Sequence, residues 1–322
     1  MNEYLNPYPG GRVARLAAGL LRSLRGRVAR AEMQPVVTLQ RTATEVLTTV
    51  RGAQSARLAQ IFDGCEEFPG LRVFVHGSWA DDTKTGFSDL DDFIILDPQQ
   101  FDRQSTRRLV RWLNRVDMRM CRIDPLQHHG HWIVCAEDLV DYDAANMPPA
   151  ALQGAICLQG DPLIRFLVSQ EKSRAGYRRV LSGLLQNIEL FSTKYFSRSI
   201  NAYEMKGFVS SILLVPALIM QLGGEQTDKR SAILSADRVL PPEACKVVAV
   251  CSAIRTGWAV QLNAPKFVLF RALAGLFFNP HFFRRFAAHF SPRYARTDVE
   301  IEPEDLNVLK KYIRSVLAGT SC

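Results

Sequence analysis

The chain has 322 residues, 47% of them hydrophobic and 22% charged, with 40 Lys and Arg against 32 Asp and Glu. This is the make-up of an ordinary globular protein with length for two domains of roughly 100–200 residues each, and it excludes a low-complexity or disulfide-framework chain. The net charge of +8 suits polyanionic substrates, nucleic acid or an anionic membrane, and suits plain solubility equally well.

Residues 1–10 are rich in Pro, Gly and Asn and read as irregular. From Gly11 to Arg30 there are six Arg and no acid. At helical spacing Arg12, Arg15, Arg22, Arg25 and Arg30 share one side, and Val13, Leu20, Leu21, Leu24 and Val28 take the other. This predicts an amphipathic helix that docks on the core, contacts nucleic acid or lies on a membrane surface. Gln34-Pro35 interrupts it, and the spacing predicts a further helix over 42–62.

Val73 to Val75 opens an apolar strand that breaks at Gly77-Ser78, crosses a polar connection, and re-enters a strand at Asp89-Leu-Asp-Asp-Phe-Ile-Ile-Leu96. Residues two apart on a strand share a face, so Asp89 and Asp91 point one way and Asp92 the other. Paired carboxylates at a strand mouth repel unless a cation stands between them, and a hard ion such as Mg²⁺ takes carboxylate and phosphate oxygens together. Gly77 allows close backbone approach, and Ser78 offers a hydroxyl and an N–H as a phosphate seat. Seven acids crowd between Asp81 and Asp102 in a chain that is basic elsewhere.

Gly77-Ser78, followed after ten residues by Asp89-x-Asp91 and an apolar run, resembles the signature of the DNA polymerase β-like nucleotidyltransferase superfamily. The resemblance implies an α/β (α+β) palm with a mixed sheet, followed by an α-helical domain. It implies transfer of a nucleoside monophosphate from an NTP with two Mg²⁺ or Mn²⁺ ions and release of pyrophosphate. Asp89, Asp91 and a third carboxylate would be the catalytic, metal-holding set, with Gly77, Ser78 and Ser88 on the nucleotide. Many small members read Gly-Ser-x-Ala-Arg-Gly; here Ala80 precedes Asp81-Asp82-Thr83, and Lys84 is the nearest base.

After Asp97-Pro98, Ser105 to Val116 reads as a helix, and Met118 to Ile123 as a separate apolar run ending in Asp124-Pro125. Asp124 best matches the family's third carboxylate, which stands on a strand beside the Asp-x-Asp strand; Glu137 and Asp138 fit less well. His128, His129 and His131 read as a substrate contact, a transition-metal site or hairpin structure. From Leu163 the texture is helical: runs at 178–191, 202–222, 245–258, 266–278, 280–290 and 303–317. In relatives such helices touch the triphosphate, and Lys206 and Ser210, one turn apart, are the candidates here, with Lys194, Arg198 and Lys229 as competitors.

The expected organisation is an N-terminal helical extension (1–59), a palm (60–165) and a helical domain (166–322), with no transmembrane segment. Seven scattered Cys without a framework, and no signal-peptide pattern, predict a reducing cytoplasm. The acceptor is open. The basic N-terminal helix favours an RNA end over a small molecule, a nucleotide or a protein hydroxyl, and a catalytically silent binding module on the same fold is the remaining alternative.

Overall fold

The computed structural model describes residues 41–50, 56–258, 260, 265–274, 276–295 and 299–319. The basic helix expected over 11–30 lies outside them. Strand β1 (Arg41–Leu47) and strand β2 (Thr49–Val50) come first, and among the described residues of the region read as a helix over 42–62 only α1 (Ala56–Ile61) is α-helical. The correction has a clear cause. Arg41 to Leu47 pairs antiparallel, in unbroken register, with β7 (Leu163–Ser169) more than a hundred residues away, so a ladder to a distant segment overrides weak local helical spacing.

The main sheet has the order β2-β6-β3-β4-β5, built from β3 (Leu71–His76), β4 (Asp91–Leu96), β5 (Trp132–Cys135) and β6 (Ile156–Gln159) with β2 at one edge. β3 runs antiparallel to both β4 and β6, whereas β4–β5 and β2–β6 are parallel, so the sheet is mixed. Its central strands are apolar on both faces because both faces are covered. On one side Val73, Val75, Ile94 and Leu96 pack against Leu109, Trp112, Leu113 and Val116 of α2 (Arg103–Ile123). On the other, Phe74, Phe93, Ile95 and Val134 join one core with Ile164 and Phe166 of β7 and the helices that follow.

Helix α2 starts at a capping box: the Asp102 carboxylate accepts from the Ser105 N–H at 2.7 Å, which satisfies an otherwise orphaned donor. It continues through the run read as separate, because Met118, Met120 and Cys121 are buried in helical register. It stops at Asp124, since a residue before proline is pushed out of the helical region. Asp124 is therefore a helix cap, not a strand residue.

The remainder is helical: α3 (Gln170–Phe196), α4 (Ala202–Leu222), α5 (Lys229–Leu234), α6 (Pro242–Thr256), α7 (Pro265–Ala274), α8 (Pro280–Phe290) and α9 (Pro303–Ala318). The α4 and α8 bounds match those expected; α5 was unforeseen. By length and composition α4 could cross a membrane, but 72% of its most apolar window is buried inside the fold, against α3, α5 and α6.

Candidate functional site

Strand β3 delivers the chain to a single tight turn at Gly77–Trp79. Gly77 has φ of 67°, in the left-handed region that only glycine adopts freely. The β3–β4 register sets His76 opposite Asp91, so the turn and the carboxylate meet: a Cβ added at Gly77 would stand 3.8 Å from Asp91 Oδ2. The alternation read from the sequence holds. Asp91 shares a face with Phe93 and Ile95, whose partners form one core, while Asp92 shares the other with Ile94 and Leu96.

Asp89 lies just before β4 and is held there by Gln127. The Gln127 Oε1 accepts from the Leu90 N–H at 3.0 Å, and its Nε2 donates to the Leu90 carbonyl at 2.8 Å. This tie sets the histidine loop beside Asp89: His129 Nε2 is 3.6 Å and His128 Nδ1 is 3.8 Å from Asp89 Oδ2. His128 spends its other nitrogen on the Tyr203 carbonyl at 2.8 Å, so its buried Nδ1 has no hydrogen-bond partner. The buried His76 Nε2, at the floor beside Asp91, is also unpartnered. Burial lowers the pKa of both His76 and His129, which keeps both rings neutral near pH 7.

The second half of the site comes from α4. Lys206 is fully buried, and its ammonium donates to Asp89 Oδ1 at 2.6 Å and to Asp124 Oδ2 at 2.5 Å. Burial opposes the charge on Lys206, but Asp124 and then Asp89 raise its pKa above the ordinary lysine value. Burial likewise would raise Asp89, yet Lys206, with help from His128, holds that carboxyl well below the usual range. Asp124 spends its other oxygen on the Leu126 N–H at 2.8 Å.

Two more cations face the carboxylates. Burial, followed by the neighbouring Arg255, pushes Lys229 down to about 8, while Asp91 and Asp89 pull it back. Arg255 on α6 is near enough to feel Asp91, Asp81 and Asp89. Arg230 stands 3.9 Å from Asp81. Of the three competitors named from the sequence, Lys229 is the one brought here. Lys194 pairs with Glu204, and Arg198 is exposed at the end of α3 with a φ of 56°.

The remaining candidates fall unequally. Ser78 is half-buried beside Gly77. Ser88 is buried, and its hydroxyl accepts from the Thr85 N–H at 3.0 Å, which ties the loop before β4. Ser210 is half-buried one turn beyond Lys206. His131 leaves the other two histidines and pairs with Asp92 on the α2 side of the sheet, with its Nε2 on the Leu113 carbonyl at 2.8 Å. Arg284 of α8 forms a buried pair with Asp117 of α2 and donates to the His129 carbonyl at 2.8 Å. Nothing local in the sequence marked Asp117 and Arg284 as partners, because 167 residues separate them.

Lys206 stands between Asp89 and Asp124, and among the described residues no group of three or more His, Cys, Asp or Glu is arranged to hold a metal. Asp89 and Asp124 thus share one ammonium in this structure. Asp91 is half-buried at the turn and accepts no hydrogen bond among the described side chains, which leaves its oxygens open to a hard cation. No known family model, curated protein or solved structure matches the chain.

Proposed function

We propose that the chain is a nucleotidyltransferase. An acceptor hydroxyl oxygen bonds to the α-phosphorus of an NTP, the bond to the bridging oxygen breaks, pyrophosphate leaves with the electron pair, and the acceptor's proton is released. The observation that carries this reading is the meeting of Gly77 with Asp91, 3.8 Å from Oδ2 to the position of a Cβ, with Lys229 and Arg255 facing the same carboxylates. A glycine turn beside a carboxylate, with two cations nearby, is equipment for a polyphosphate.

Asp89 and Asp91 are the residues that would hold a divalent ion, which would supply charge neutralisation at the reacting phosphate. Lys206 is a fixed cation in the position where a second ion would sit, and Asp124 holds that ammonium in place. Lys229 and Arg255 take the triphosphate tail, and Ser78 contributes a donor at the turn. Preorganised charge of this kind is commonly the largest part of catalysis in such transfers.

An RNA end is the acceptor we favour. Arg103, Arg107, Arg111 and Arg115 are exposed at four-residue spacing along α2 and have no ion-pair partner among the described residues. They form a ridge of the kind that tracks a phosphate backbone, and α2 ends at Asp124 in the site. The buried Lys206–carboxylate cluster also favours a second reading, a nucleotide-binding module that does not turn over.

Incubating the protein with each α-labelled NTP, Mg²⁺ or Mn²⁺, and total RNA or protein separates the two. Transfer is expected for the wild type and a loss of at least about a hundredfold for Asp91→Ala. NTP binding without label transfer to any acceptor would leave the silent module standing.

A further inference from the structure

Between Glu243 and Asp298 the chain has no Asp or Glu and eight Lys or Arg, a charge equal to the net +8 of the whole protein. Within this stretch α7, α8 and the turn joining them pack inward through Phe267, Phe270, Phe283 and Ala287. Their other side is left bare. Of thirteen exposed large hydrophobic residues among those described, seven fall between Val268 and Phe290, including Leu276 at 71%, Phe278 at 85% and Phe290 at 68% exposure. Scattered single apolar residues need no explanation, but seven gathered on two helices that pack together and the turn between them do.

We propose that the α7–α8 face docks on an anionic phospholipid surface, with Leu276, Phe278 and Phe282 inserted among the acyl chains and Arg271 and Arg285 on the headgroups. Charge decides among occupants. Arg271 and Arg285 are exposed without an ion-pair partner among the described residues, and Arg271 donates to the Arg122 carbonyl at 3.2 Å, so the basic rim continues onto the last turn of α2. A second copy of this face would bring like charges together with no acid on either side. Nucleic acid would answer the arginines but gives no reason to expose Val268, Leu269 and Leu276. A surface that is negative at headgroup level and apolar beneath answers both, which is the pattern of peripheral membrane contacts. This inference is independent of the nucleotidyltransferase reading.

The test is flotation of the full-length protein with vesicles of phosphatidylcholine alone and of phosphatidylcholine with phosphatidylserine, at low and high salt. Binding is expected to the phosphatidylserine vesicles only, and to weaken with salt. F278S/F282S and R271E/R285E alter exposed positions and should leave the melting curve unchanged, while each lowers vesicle partitioning at least about tenfold. Failure to bind, or binding that the variants do not change, overturns the proposal. A dimer that F278S/F282S dissolves assigns the face to a second copy. RNA binding lost in R271E/R285E, without vesicle binding, assigns it to nucleic acid. Vesicle binding seen only after deletion of residues 1–40 assigns the face, in the full chain, to that segment. Each of these three also overturns it.

Discussion

Lys206 is where the energetics of single residues are sharpest. Its ammonium is fully buried and bonded to two carboxylates, so removing it strands two charges away from water. Lys206→Met is expected to cost about 3–5 kcal/mol in urea unfolding, the usual penalty for breaking a buried pair by deleting one member. Added Mg²⁺ should recover part of that loss, because the vacated position then lies between Asp89 and Asp124; a variant as stable as wild type would contradict the buried pairing. His131 offers the matching pH test. Burial alone would lower its pKa, but Asp92 raises it from 6.5 to about 9. A folded pKa above the unfolded one means that the pair's contribution is full below pH 6.5 and is lost as pH rises through about 9. On the order of 3 kcal/mol of stability should therefore disappear over that window, at ~1.4 kcal/mol per unit. His131→Gln should be less stable at neutral pH and show a flatter profile across it, read from denaturant melts at closely spaced pH values.

At the level of elements, α2 ties the two halves of the molecule together. One stripe packs on the sheet, its last residue caps into Asp124, and Asp117 reaches α8 through Arg284. Arg284 is held charged: burial opposes the guanidinium, but Asp117 raises its pKa far above the ordinary value. Arg284→Met leaves Asp117 buried without its partner, and is expected to cost about 3–5 kcal/mol. Asp117→Leu with Arg284→Met should recover most of this, because the charge is then removed from both sides. The same variant also frees the His129 carbonyl, so NTP affinity should fall in Arg284→Met before any change at Asp89. Isothermal titration on the folded variant measures that, and unaltered affinity would separate the α2–α8 clamp from the site.

For the whole molecule, the acidic strand ends and the cations of α4, α5 and α6 come from sequence segments more than a hundred residues apart. A ligand that bridges them binds the folded chain and not the unfolded one. NTP with Mg²⁺ at about a hundred times its dissociation constant should add about 2.7 kcal/mol. A protein of this size responds with a rise in Tm of several degrees, at roughly 2–4 °C per kcal/mol. Mg²⁺ alone should act more weakly, since Lys206 already neutralises Asp89. No shift with any NTP would remove both the enzyme and the nucleotide-binding module.

Periodicity and short motifs settled what depends on neighbours in the chain. The two apolar strands around Gly77 and Asp91, the opposite facing of Asp91 and Asp92, and the bounds of α4 and α8 follow from two-residue alternation, helical spacing and flanking Pro or Asn. Strand β1 was illegible, because seven residues of mixed polarity become a strand only when β7 is there to pair with them. Asp124 drew notice by its place after an apolar run, and the fold brings it to Lys206 beside Asp89, but its setting was not legible: tertiary burial of Met118, Met120 and Cys121 keeps the helix going up to it. Lys206 read as a triphosphate contact from its place at the polar start of its helix. Only the folded chain decides that its ammonium lies between two acids, since a lysine's partner is set by which helix packs over which strand end, and no local pattern encodes that distance.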